Sequence, residues 1–160
     1  PDRRLAEELG SFFNEQGQRQ LAAEYYRSAL SQEGKHPQIR PVIAYAKILY
    51  DLKAWPDTER LLRRAADRVP TEAKIPLLLG KTLLEQRRWP EALTWFERAI
   101  ALDPKTAEAY YGCSRIALAQ GRREEALRNL KQALAANPYH REALELLRQM
   151  DLHQMRRHSE

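Results

Sequence analysis

Three prolines recur at a fixed interval along this chain, and that interval constrains the fold more than any other feature. Pro70, Pro104 and Pro138 lie 34 residues apart, and each follows an apolar-rich amphipathic segment. A period of this length is typical of architectures in which one helical or mixed unit is copied and stacked on its neighbours. The chain of 160 residues is long enough for four such units in one domain.

Other columns repeat when the chain is aligned on the proline period. With proline at position 32 of each unit, position 27 holds Ala65, Ala99 and Ala133, and position 24 holds Leu62, Phe96 and Leu130. An earlier unit begins at Arg3 and lies 36 residues before the next, with its two extra residues in the polar segment 33–38. The alignment predicts repeats over residues 3–38, 39–72, 73–106 and 107–140, within a single domain spanning 1–160.

Each unit has the apolar spacing of two helices separated by a break near position 15. Pro56 and Pro90 mark the starts of second helices, because a first-turn N–H has no intrahelical partner to lose. Pro41 and Pro76 fall in the first turn of their units for the same reason. We expect an all-α chain that ends in a capping helix over about 141–155, with Ala143, Leu144, Leu147 and Met150 facing the fourth repeat.

The repeated columns resemble those of the tetratricopeptide repeat family. The third unit carries Leu79-Gly80, then Ala92, Phe96, Ala99 and Pro104, and the fourth carries Tyr110, Gly121, Ala126, Leu130, Ala133 and Pro138. The resemblance covers residues 3 to about 152. It implies a right-handed superhelical α-solenoid of antiparallel helix pairs, in which the first helices line a concave groove.

Composition and motifs give no indication of an enzyme. The single cysteine, Cys113, excludes an internal disulfide and a cysteine zinc cage, and it falls in a packing column. His36 and His140 fall in loops between repeats, and His153 and His158 are not spaced for a shared metal. No phosphate-binding or nucleophile motif occurs, and no apolar run could span a membrane. We expect no catalytic residue, cofactor, metal or small-molecule substrate.

The resemblance assigns five positions of each unit to the concave groove. Position 9 gives a basic row, Lys47, Lys81 and Arg115, between two apolar rows. Asp51 and Glu85 offset the charge on the far side. The alternative is that the cations are solvated and the leucines pack against neighbouring helices. The predicted peptide-binding residues are Arg40, Ile43, Lys47, Tyr50, Lys74, Leu77, Lys81, Leu84, Tyr111, Arg115 and Leu118.

These observations favour a non-catalytic scaffold that binds a protein or peptide with acidic and apolar residues. The family's clamp for chaperone C-terminal carboxylates is not matched in any window. The resemblance favours a bacterial assembly complex, in the periplasm or attached to a membrane rather than in the cytoplasm.

Two alternatives to this function stay open. The net charge of +5 and pI near 9.5 allow a nucleic-acid-binding helical repeat, although acidic residues are interleaved throughout. An apolar outer face of the first repeat, formed by Leu5, Phe12 and Tyr25, allows a homodimer.

Overall fold

The computed structural model describes residues 2–32 and 38–157, the last six of these by their helical backbone alone. In those residues the chain forms nine helices and no strand, so the predicted all-α class is confirmed. Residues 33–37 of the predicted polar segment 33–38, which include His36, and the tail 158–160 lie outside the described residues. The helices are α1 Arg3–Glu15, α2 Arg19–Ser31, α3 Ile39–Asp51, α4 Trp55–Arg68, α5 Lys74–Glu85, α6 Trp89–Leu102, α7 Ala107–Ala119, α8 Arg123–Ala136 and α9 Arg141–Arg157.

Proline marks helix starts at the places where the sequence indicates them. Helices α4 and α6 begin at Trp55 and Trp89, with proline as the next residue. Helices α3 and α5 carry Pro41 and Pro76 as their third residues, where the backbone N–H is still free of intrahelical bonds. The described helices include none with the length and hydropathy needed to cross a bilayer.

The same turn joins the two helices of each of the four pairs, and one residue of each turn has a left-handed backbone conformation. Gly17, Lys53, Arg87 and Gly121 have φ of 75°, 57°, 59° and 75°. One residue later the backbone N–H donates to a carbonyl five residues back, as from Arg88 to Leu83 at 3.0 Å. This bond closes a Schellman motif, which turns the chain so that the second helix packs back on the first. Two of the four turns use non-glycine residues in a conformation that costs them roughly 1 kcal/mol.

The core depends on close approach between helices at glycine. The ring of Phe96 on α6 is fully buried and wedged between the backbones of α5 and α7. A Cβ added at Gly80 would lie 2.6 Å from its Cδ1, and one added at Gly112 would lie 2.5 Å from its Cε2. Glycine therefore lets one aromatic ring join the third helix pair to the fourth.

Helix α9 covers the end of the fourth pair. Ala143 and Met150 are buried against α7 and α8, and Leu146 and Leu147 are half-buried there. The prediction that Leu144 faces the fourth repeat is wrong, because its side chain is 46% exposed. One residue along a helix is a rotation of about 100°, which turns Leu144 away from the side on which Ala143 packs.

An ionic network joins α4 to α6. Arg88 contacts Glu59 at 2.7 Å and Glu91 at 2.7 Å, and Arg63 contacts the same two carboxylates at 2.9 and 3.1 Å. Burial by itself raises the pKa of Glu59, but hydrogen bonds from Arg63 and Arg88 outweigh it and hold that pKa below its usual range. The Arg63 guanidinium also lies 5.7 Å from the centre of the Trp95 ring. Both arginines thus connect neighbouring repeats.

Candidate functional site

Three adjoining cavities follow the inner helices of the solenoid. A groove of about 400 Å³ between α3 and α5, here called the α3–α5 groove, is lined by Lys47, Tyr50, Asp51, Lys74, Leu77, Leu78, Lys81 and Glu108. A pocket of about 190 Å³, here called the His140 pocket, is lined by Lys81, Leu84, Phe96, Glu108, Tyr111, Gly112, Arg115, His140 and Glu142. A third cavity of about 300 Å³ lies against α9 and shares Tyr111 and Glu142 with the pocket. Because Lys81 and Glu108 line both the groove and the pocket, the surface is continuous from α3 to α9.

The cavities bring together eight of the eleven residues that the sequence assigns to a groove. Five of these line the α3–α5 groove, and Leu84, Tyr111 and Arg115 line the His140 pocket. Ile43 instead packs half-buried against the core of α3, α4 and α5, and Leu118 packs against the core of α7, α8 and α9. Arg40 is exposed near the start of α3. The central part of the surface is therefore built by α5 and α7.

Two members of the basic row are ion-paired across neighbouring inner helices. Lys81 Nζ lies 3.0 Å from Glu108 Oε2, and Arg115 Nη1 lies 3.0 Å from Glu85 Oε1. The Lys81 ammonium also lies 5.6 Å from the centre of the Tyr50 ring. In the described part of the chain, Lys47 and Lys74 make no ion pair, although both line the same groove. The uncompensated positive charge is consequently concentrated between α3 and α5.

Two tyrosines and the cysteine near this surface are held in their neutral forms. Burial, aided by the Glu85 carboxylate, raises the pKa of Tyr50 to about 12, and burial also raises the pKa of Tyr111. Burial raises the pKa of the Cys113 thiol to about 12, and its side chain is 7% exposed. A thiol rather than a thiolate is present at neutral pH, which suits packing and not nucleophilic attack. Over the described residues, no cluster of three or more His, Cys, Asp or Glu is arranged to hold a metal ion.

The structure adds residues that sequence reasoning missed, of which His140 is the most informative. Its ring is buried between α8 and α9 and lies 5.2 Å, centre to centre, from the ring of Tyr111. Its Nδ1 accepts a hydrogen bond from the Ala143 N–H at 3.3 Å, which is an N-cap contact at the start of α9. The sequence signal for this role is the position of His140 directly before α9, where N-cap residues lie. Glu108 was also missed, although it occupies position 2, the same column as Lys74.

Comparison with known proteins agrees with the helical-repeat fold. The tetratricopeptide repeat family model matches residues 71–138. The crystal structure of YrrB, described as a TPR protein with an unusual peptide-binding site, superimposes with a TM-score of 0.75 at 22% identity, covering 87% of this chain and 71% of that one. A MamA RS-1 ArsTM double mutant gives a TM-score of 0.80 at 17% identity over 95% and 84% of the two chains. MamA from Desulfovibrio magneticus RS-1 gives 0.76 at 14% identity over 88% and 78%. No curated protein sequence matches the chain.

The stacked helix pairs and their shared inner surface define a helical-repeat solenoid, a fold that serves as a scaffold for protein–protein interaction. Within that class, the family model identifies tetratricopeptide repeats in residues 71–138, and the solved structures show that the same helical-repeat fold extends beyond them.

Proposed function

We propose that this chain is a non-catalytic scaffold that holds a peptide segment with acidic and apolar residues in its inner groove. The observation that carries the proposal is the pair of lysines, Lys47 and Lys74, that line the α3–α5 groove without a carboxylate partner in the described residues. Tyr50 and Leu77 supply apolar surface in the same groove. A carboxylate of the ligand can approach these lysines without displacing a carboxylate of the protein.

The paired cations have a different part in this proposal. A ligand carboxylate that reached Lys81 would compete with Glu108, and one that reached Arg115 would compete with Glu85. Exchange of one exposed ion pair for another contributes little free energy. We therefore assign recognition of the ligand carboxylates to Lys47 and Lys74. The paired residues instead shape the groove and fix the position of the ligand along it.

The setting of the scaffold is also part of the proposal. YrrB, whose fold is similar, is described as having a peptide-binding site, and another similar structure comes from Desulfovibrio magneticus. The source of the second structure favours a bacterial setting, and we include an assembly complex in the proposal as the place where this scaffold acts. The interleaved carboxylates of the groove would repel a phosphate backbone, so the charge arrangement gives no support to nucleic-acid binding.

Selection from a phage-displayed library of random dodecapeptides tests the proposal. We expect the wild-type protein to enrich peptides that combine Asp or Glu with apolar residues. The variant Lys47→Glu/Lys74→Glu should bind the enriched peptides at least roughly tenfold more weakly, because charge-assisted hydrogen bonds are lost and repulsion is introduced.

The matched control is Arg128→Glu/Lys131→Glu, which makes the same charge change at exposed positions of α8 outside the cavities described above. This control should bind like the wild type. Enrichment of peptides without acidic residues, or equal weakening in both double variants, would refute the proposal.

A second candidate, self-association, is favoured by the apolar surface of α1. Phe12 is 53% exposed and Leu5 is 46% exposed. Phe13 stacks on Tyr25 beside them, with ring centres 5.3 Å apart. Sedimentation equilibrium of the wild type and of Leu5→Ser/Phe12→Ser measures this directly. A monomeric wild type would eliminate the candidate.

A further inference from the structure

The His140 pocket has the size and the walls of a site for one aromatic ring. Its volume is about 190 Å³, and a cavity of roughly 150 Å³ is enough to accommodate benzene. Leu84, Phe96 and Tyr111 supply the apolar part of its lining. Gly112 adds no side chain to the lining. The pocket adjoins the α3–α5 groove through Lys81 and Glu108, and one ligand segment can therefore occupy both.

The charges that line this pocket compensate one another. Lys81 is paired with Glu108 at 3.0 Å, and Arg115 is paired with Glu85 at 3.0 Å. The remaining charged residue of the lining, Glu142, is 65% exposed. A charged ligand group would lose its hydration here without gaining an unpaired counter-charge. The pocket therefore favours a neutral side chain.

One polar group of the pocket is buried and has an unused hydrogen-bonding atom. The His140 side chain is only 7% exposed. Its Nδ1 lies 3.3 Å from the Ala143 backbone nitrogen, from which it accepts a hydrogen bond, and 3.3 Å from a Glu142 carboxylate oxygen. In the described residues Nε2 makes no hydrogen bond, and it is not completely enclosed by protein. A ligand that fills the pocket would cover this nitrogen.

We propose that the His140 pocket binds a tyrosine side chain of the ligand segment. The ring lies against Leu84 and Tyr111, and the phenol hydroxyl, which can both donate and accept, forms a hydrogen bond with His140 Nε2. Phenylalanine fits the same space but covers Nε2 without giving it a partner, and that cost makes His140 a specificity-determining residue. The inference rests on the proposed function, since it adds tyrosine to the acidic segment held by Lys47 and Lys74.

Two small probes test the pocket without any peptide. N-acetyl-tyrosinamide and N-acetyl-phenylalaninamide differ only in the phenol oxygen, and neither carries a net charge. We expect both to shift the amide NMR signals of Tyr111, Gly112 and Ala143 in the ¹⁵N-labelled protein. The tyrosine derivative should bind about tenfold more tightly, as expected when a ring nitrogen that the ligand covers gains a hydrogen-bond partner.

Two variants assign that preference to the histidine. His140→Ser keeps an N-cap side chain for α9, because serine is favoured at that position, but it removes Nε2. It should bind both probes with equal affinity. The neighbouring variant Tyr139→Ser changes a side chain in a residue that is 88% exposed and should keep the preference.

Three results would overturn the inference: no saturable shifts at the pocket amides, equal affinities of the two probes for the wild type, or a tyrosine preference that survives in His140→Ser. The probes do not require Lys47 or Lys74. If the probes do not bind as expected, the result of the peptide selection is unaffected. If the peptide selection fails, the tyrosine preference of the pocket can still be measured.

Discussion

Gly112→Ala is the substitution whose effect on the free energy of unfolding follows most directly from the packing. A methyl group at this position would lie 2.5 Å from Cε2 of Phe96. Favourable carbon contacts begin near 3.5 Å, so the ring would have to move by about 1 Å. It cannot retreat toward α5, because the backbone at Gly80 closes that side as tightly. The ring is fully buried and has no exposed direction in which to turn.

Two opposing terms give the size of the effect. Alanine is favoured over glycine inside a helix by about 1 kcal/mol. Overpacking of a well-packed core costs about 1 to 3 kcal/mol, and the upper end applies because the ring is held from both sides. We therefore expect a net loss of about 2 kcal/mol in the free energy of unfolding. For a chain of this length that loss lowers the thermal midpoint by about 4 to 8 °C.

Thermal unfolding followed by circular dichroism measures this loss, and a second substitution tests its cause. Phe96→Leu shortens the side chain that the new methyl group meets, so Gly112→Ala should cost less in that background than in the wild type. A thermal midpoint of Gly112→Ala equal to that of the wild type would refute the close packing of Phe96 against Gly112. Strict additivity of the two substitutions would show that the methyl group does not act through Phe96.

Three further outcomes follow from single sites. Arg87→Gly should raise the free energy of unfolding by about 0.5 to 1 kcal/mol, because Arg87 has a φ of 59°; a lower thermal midpoint would contradict this. The lowered pKa of Glu59 means that its ion pairs with Arg63 and Arg88 stabilise fully above the ordinary glutamate pKa and lose that contribution as pH falls through the lowered value. Glu59→Gln should therefore weaken the acid dependence of the thermal midpoint, and an unchanged dependence would count against the network. Cys113, with a pKa raised to about 12, should resist a colorimetric thiol reagent at neutral pH until urea unfolds the chain; rapid labelling of the native protein would be inconsistent with its burial.

The fold was predictable because its determinants are local and repeated. The proline period, the first-turn prolines and the columns of alanine and glycine each act within one helix pair or between neighbours. Phe96 lies in a predicted large column and Gly80 in a predicted small one, and the structure places them in contact. The exposure of Leu144 was not predictable from spacing alone, because it depends on how α9 rotates against α7 and α8.

The surface chemistry was less predictable because it depends on pairs that are distant in sequence. Lys81 and Arg115 were correctly recognised as cations, but their carboxylates come from helices about one repeat away. Periodicity assigns a residue to a face, and it does not say which opposite charge the long side chains reach. His140 belongs to no repeated apolar column, and its burial depends on its contacts with Tyr111 of α7 and with the start of α9.

The central claim is that Lys47 and Lys74 bind the acidic part of a peptide in the α3–α5 groove. Fluorescence anisotropy tests it with the most enriched dodecapeptide, labelled at one end and titrated with each protein. The account predicts a dissociation constant at least roughly tenfold higher for Lys47→Glu/Lys74→Glu than for the wild type, and an unchanged value for Arg128→Glu/Lys131→Glu. Equal dissociation constants for the wild type and the groove variant would contradict it.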